Sequence, residues 1–466
     1  MPIFSTELAY ERRALTMNSE FDQDTYPGRP RILFIGFPES SHTHSWIDLL
    51  ADGAFNVRLF GLPSAEPPAG WQVKTYLTKA DNGRSDNATR RTVFPPPESS
   101  AVGLAMAARS ALNRGAVNGV PIMRRIAESC IGLTEILAKG DHAATIEGAL
   151  AAVIREWKPD IIHTLGFDSA SYFYLRARKE FKLEAIGRWV AQARGGPDLA
   201  LQRYSPTYRP LIEEVLANCD HFIADNEPNY SYALSVGLTQ EKISSPGMGV
   251  VSGAGGMDVE AMRGMWSLPP SKRERVIVWP KAYELYTSKA MPVFEAILNV
   301  WDRIQPCRIE MLWMVQSDVQ IWYEKLFPPH IKAHCPSFGR LSREETLQRV
   351  ASARVMIAPS LSDGIPNTMM EAMALGAAPL VSPLDTITPV VKHQENVFFA
   401  RNLYPDELGE ALVRLMSDDD LVDRMAENNL VRIQELADRR AVKKRALVYY
   451  DEIARQACRI SQRSEI

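Results

Sequence analysis

Two carboxylates stand eight positions apart, Asp363 and Glu371, within Pro359-Ser360-Leu361-Ser362-Asp363-Gly364-Ile365-Pro366-Asn367-Thr368-Met369-Met370-Glu371-Ala372-Met373-Ala374-Leu375-Gly376. A carboxylate accepts well from two vicinal hydroxyls, so such a pair suits a ligand carrying a sugar at either end. Between the acids lie turn residues (Ser362, Asp363, Gly364), a Pro at an early helical position, and Asn367 or Thr368 as capping residues. Helix formers then run to Leu375, and Gly376 suits a left-handed stop. Upstream, Ala353 to Ala358 is β-rich and reads as a buried strand. A strand feeding a loop and a helix start aims backbone N–H groups and the positive end of a dipole at one point, which suits a phosphate. The structural alternative makes Asp363 a turn residue and Glu371 a solvated helix residue.

The elements that must position these acids alternate along the whole chain. Arg31 to Gly36 reads as a buried strand, about His42 to Asp52 as a helix, and Phe55 to Phe60 as the next strand. Lys158 to Gly166 is a second strand-to-loop unit ending on His163, followed by strands at Glu184 to Val190 and His221 to Asp225. In doubly wound α/β domains ligands bind at the carboxyl ends of strands, which makes His42, Trp46 and His163 site candidates. The competing reading for each histidine is a capping or hydrogen-bonded structural role. Gly247, Gly249, Gly253, Gly255 and Gly256 then mark a domain boundary before Asp258. A second series follows, with strands at Arg275 to Pro280, Ile309 to Val315 and Ala333 to Phe338, and a helix whose Ser342 and Glu345 form a capping box.

The predicted organisation is a loose extension (1–30), a first Rossmann-like domain (31–255), a second (256–440) and a C-terminal helix (441–466) packing back on the first. A helical insertion is expected at about 100–150. Its arginines at 109, 114, 124 and 125 either line a solvated helix face or touch an anionic surface, so peripheral membrane contact stays open.

At 466 residues the chain exceeds one core. Apolar content of 46% and charged content of 23% are ordinary globular values. A net charge of −3 gives no nucleic-acid footprint. Five scattered cysteines without a CxxC spacing argue for a reducing compartment and against a zinc site. No apolar run is long enough to span a membrane, and the first thirty residues lack a signal-peptide pattern, so the expectation is a cytoplasmic protein.

The ordered motif around Asp363 and Glu371 resembles the acid-x7-acid motif of glycosyltransferase family 4. His42-Thr43-x-x-Trp46, Lys158-Pro159-Asp160-Ile161-Ile162-His163, and Gly196-x-Asp198 with Arg209 are similar to further motifs of that family, as are the glycine linker and Lys289. The resemblance spans roughly residues 31–455. It implies two facing Rossmann-like domains (the GT-B fold) with a donor cleft between them. It also implies retaining, metal-independent transfer from a nucleotide-diphosphate sugar, with no cofactor. Glu371 would hold the ribose, with Phe338 and Leu341 beside the nucleoside, and Asp363 would face the donor sugar. Gly364, Ile365, Asn367 and Thr368, with Lys281 and Lys289, would hold the diphosphate. His163 would join Asp363 and Glu371 as a catalytic group. His42, Trp46, Asp198 and Arg209 would lie on the acceptor side.

Three departures stand out. Asp363 replaces the more usual Glu, Trp279-Pro280-Lys281 replaces Gly-Arg, and the first loop, Phe37 to Ser41, lacks the usual Gly-Gly. A sugar-nucleotide epimerase of similar fold and a sugar-nucleotide-binding protein without catalysis are the alternative readings.

Overall fold

The computed structural model describes residues 10–13, 21–78, 145–195 and 198–464. The predicted insertion therefore lies largely outside the described residues; the helix Ile146–Trp157 is its described end. Two sheets carry the fold. The first runs β1 (Tyr10–Arg13), β4 (Lys74–Thr78), β3 (Asn56–Gly61), β2 (Arg31–Gly36), β5 (Ile161–Leu165), β6 (Arg188–Gln192), β7 (His221–Ile223). Strands β2 to β5 pair in parallel and β1 adds antiparallel to β4. Of the lead-in expected as a loose extension, Tyr10–Arg13 is thus a sheet strand. Residues near Tyr26 are held too, because the Asn56 side chain bonds the backbone of Tyr26 and Arg29 at 2.8–2.9 Å.

The second sheet is wholly parallel: β12 (Phe398–Phe399), β11 (Ala378–Val381), β10 (Val355–Ala358), β8 (Val276–Trp279), β9 (Arg308–Met311). Both architectures are the doubly wound α/β class that the alternating pattern predicts. By compactness the chain divides into residues 1–190 with 453–466, and residues 191–452. The strand expected over Ala333 to Phe338 reduces to a single bridge of Ser337 to Met311 after the short helix Pro329–Lys332. Pro336 has no N–H to extend the ladder.

Strands buried on both faces read as unbroken apolar runs, and β8 and β10 are buried throughout. One face of this sheet packs on the helix Met291–Ile304 through Phe294, Ile297 and Val300. The other packs on the helix Asn367–Ala374, where Met369, Met370, Ala372, Met373 and Ala374 all vanish into the core. At roughly 1.5–3 kcal/mol for each fully buried large apolar side chain, the three methionines fix this helix firmly on the sheet. A helix apolar all round has no solvent face, so Glu371 is buried with its neighbours instead of solvated. Gly376 ends it at φ +72°, as its sequence predicts.

The strand order sets the site. From β8 the chain proceeds to β9 on one side, while β10 and β11 lie on the other. Such a reversal splays the loops at the carboxyl ends of β8 and β10 and opens a crevice there.

Candidate active site

The two loops leaving that switch point carry the charged residues. After Trp279 at the end of β8 comes Lys281, and after Ala358 at the end of β10 comes the loop to Asp363. Lys281 Nζ reaches Asp363 Oδ2 at 3.3 Å. Burial alone would push the Lys281 ammonium down, but the Asp363 carboxylate, with Tyr283 and Glu371, carries it above its ordinary value. It therefore stays a cation at the crevice. Lys281, Tyr283, Thr287, Ser288, Lys289 and Asp363 line one pocket.

Its walls are held by backbone bonds. Leu361 N–H donates to Thr287 O at 2.7 Å, which joins the acid loop to the lysine loop. The buried Asn402 clamps Lys289 from both sides, accepting its N–H at 2.8 Å and donating to its carbonyl at 3.0 Å. The Lys289 ammonium pairs with Glu284 at 2.8 Å. Within the acid loop, Asp363 Oδ1 accepts the Gly364 N–H at 2.9 Å, and Thr386 donates to the Asp363 carbonyl.

The helix start differs from its predicted capping. Pro366 is the cap residue and supplies no side-chain bond. Asn367 turns outward from that role, and its Oδ1 accepts from Ser252 at 3.0 Å. The Thr368 hydroxyl is buried and unpartnered. Ile365 contributes apolar packing, 6% exposed within the core, so only its backbone is available to a ligand.

One turn on, Glu371 is 7% exposed and its Oε1 lies 2.8 Å from a nitrogen of Arg343. Burial raises its carboxyl above the usual range, while Arg343 and Lys281 pull it back. Arg343 opens the helix Arg343–Ser352, whose predicted capping box is present: Ser342 accepts the Glu345 N–H at 3.1 Å and Glu345 the Ser342 N–H at 2.8 Å. The loop before it places Phe338 under the Arg349 guanidinium, 4.0 Å from the ring centre. Leu341 packs with Phe338 against the same core as the Glu371 helix.

Two features escaped the sequence reading. Asp225, just past β7, is 3% exposed, and its carboxylate is held by amides: the Asn226 side chain at 2.7 Å and the Gly195 backbone. Gly364 comes so close that a Cβ there would stand 2.5 Å from Gly195 Cα and against the Asp225 carboxylate. Burial, then the like charge of Asp363, pushes Asp225 up to about 7. An acid directly after a strand was the available signal. The second feature is Arg343, a lone basic residue at a helix start.

The remaining predicted residues are placed as follows. His163 is fully buried, its ring 5.1 Å from Phe34 and 6.0 Å from Trp46, centre to centre. Trp46 is itself fully buried, whereas His42 is exposed. Asp198 is buried and accepts the Arg194 N–H at 2.7 Å. Arg209 is exposed and pairs with Glu213 along its helix at 2.9 Å. Among the described residues no group of three or more His, Cys, Asp or Glu side chains is arranged to hold a metal ion. Among them, too, no helix is long and apolar enough to cross a membrane.

Residues 329–431 match the family described as Glycosyl transferases group 1, a span that includes both acids. No curated protein matches the chain. Among solved structures, Alr3699/HepE of Anabaena in complex with UDP and glucose is similar at TM-score 0.60 and 11% identity. That match covers 91% of this chain and 100% of the other. The sucrose-phosphate synthase (tll1590) of Thermosynechococcus elongatus is similar at TM-score 0.59 and 13% identity, covering 91% and 99%. The UDP-forming α,α-trehalose-phosphate synthase of Burkholderia xenovorans gives the same figures, TM-score 0.59, 13%, 91% and 99%. At these identities the likeness is one of fold: two parallel-sheet α/β domains of the GT-B glycosyltransferase type.

Proposed function

We propose that this chain is a retaining glycosyltransferase that moves a hexose-type unit from a nucleotide-diphosphate sugar to an acceptor. The observation that carries the reading is the switch-point pocket, which Lys281, Lys289 and Asp363 line together, Asp363 on the loop that leads into the helix carrying Glu371. The group 1 match over residues 329–431 supports it, as does likeness to proteins solved with UDP and UDP-glucose.

The chemistry follows from charge. A departing nucleoside diphosphate gains negative charge in the transition state, and fixed donors where that charge develops lower the barrier by several kcal/mol. Lys281 and Lys289 are those cations, and the first-turn amides of the Asn367–Ala374 helix add a positive dipole end. The two lysines supply the countercharge a metal would otherwise bring, so the reaction is metal-independent. Both are partnered by acids, and an arriving diphosphate exchanges those carboxylates for its own oxygens. Glu371 accepts the ribose hydroxyls and Asp363 the hydroxyls of the transferred sugar. Acceptor recognition falls to the N-terminal half of the chain, where His42 is exposed, and the protein works in the cytoplasm.

The test is turnover of a panel of nucleotide sugars by wild type and Glu371→Ala. Release of nucleoside diphosphate by wild type from one donor class, lost in the variant, is expected. Absence of both binding and turnover for every donor overturns the reading.

A further inference from the structure

The Glu371 carboxylate is buried in an apolar helix, and a buried carboxylate without a cation tends to take up a proton. The structure supplies a cation from a separate element. Arg343 reaches Glu371 Oε1 at 2.8 Å while its own side chain remains 60% exposed. Its backbone is not free to drift, because it is the first residue of a helix fixed by the Ser342–Glu345 capping box. A carboxylate has lone pairs on both oxygens, so engaging Oε1 leaves Oε2 to accept from a ligand. The guanidinium meanwhile keeps exposed N–H groups beside the same point.

Resting on the donor-site reading above, we propose that Arg343 is a positioning residue for the nucleoside. It clamps one oxygen of Glu371 so that the carboxylate is charged and oriented to grip the vicinal hydroxyls of a ribose. The ligand class this specifies is a ribonucleoside diphosphate, distinguished from its 2′-deoxy counterpart. Lys281 and Lys289 serve the diphosphate and do not depend on the clamp.

The experiment is calorimetric titration of wild type, Arg343→Gln and Arg343→Lys with UDP, GDP, ADP, their 2′-deoxy counterparts and inorganic pyrophosphate. For the diphosphate that wild type binds, Arg343→Gln should weaken affinity about tenfold, the scale of a charged hydrogen bond. The preference for ribose over deoxyribose should shrink towards unity, pyrophosphate binding should hold, and Arg343→Lys should recover part of the loss. An unchanged ribose preference in Arg343→Gln overturns the proposal. So does an equal loss for pyrophosphate, which marks a merely structural role. Wild type that binds pyrophosphate but no nucleoside diphosphate overturns the donor-site reading, and the clamp with it.

Discussion

Glu371 and Asp225 are both buried acids, 7% and 3% exposed, yet their surroundings are opposite. Glu371 has a guanidinium at 2.8 Å and Lys281 within electrostatic reach. Asp225 has amides on one oxygen, two glycines crowding the other, and the like charge of Asp363 acting on it. Burial pushes both carboxyls up, but only Glu371 has cations opposing the shift, whereas Asp225 reaches about 7. The difference separates a carboxylate kept ready to accept hydrogen bonds from a carboxyl that holds its proton near neutrality. On the proposed function, ligand binding falls to the first and loop packing to the second.

The strongest break of that contrast is Glu371→Gln. The amide keeps the volume but loses the charge and places donors where acceptors are needed. Hydrogen bonds to a charged group are worth about 1.5–3 kcal/mol, and two are removed at once. We expect kcat/KM for the donor to fall at least about 100-fold with little change in melting temperature. A loss confined to stability would mean that Glu371 only satisfies Arg343.

Gly364→Ala comes next. Its new methyl would stand 2.5 Å from Gly195 Cα and against the Asp225 carboxylate, and both obstacles include backbone or buried atoms. Overpacking of this kind costs about 1–3 kcal/mol. A lower melting temperature and weaker donor turnover are expected together, since the displaced loop carries Asp363. An alanine variant as stable as wild type would show that the glycine nest is looser than a 2.5 Å approach to Gly195 Cα allows.

Much of this site was legible because local and global signals agree in it. Proline, glycine and helix formers between 359 and 376 set a strand, a loop and a helix, and the observed strand Val355–Ala358 and helix Asn367–Ala374 follow them. The capping box at Ser342 is likewise a rule of three residues. Partners across long sequence distances were not legible. Nothing in the chain near Asp363 says that Lys281, 82 positions away, would meet it, and only the strand order joins them. Arg343 and Asp225 were missed for the same reason. The expectation of a solvated alternative for Glu371 failed on a local fact, the methionines and alanines surrounding it on every side of the helix.

The smallest effect sharpens the contrast most cleanly. Asp225 ionises at about 3.9 in an unfolded chain and at about 7 in the native one. The unfolded state therefore releases this proton first, and the group subtracts stability as pH rises from about 4 to 7, with no further loss above that. Between pH 6 and pH 8.5 the remaining loss is about 1 kcal/mol, from the last portion of the shift. Asp225→Asn keeps an oxygen to accept from Asn226, cannot ionise, and turns an N–H₂ towards the Asp363 side. Its stability should be flat over that range and exceed wild type at pH 8.5, measured by denaturant unfolding at both pH values. Glu371→Gln gives a different pattern, because losing Glu371 leaves Arg343 without its carboxylate at either pH. If Asp225→Asn retains the wild-type slope, the group responsible lies elsewhere, and the amides around Asp225 hold its carboxylate charged after all.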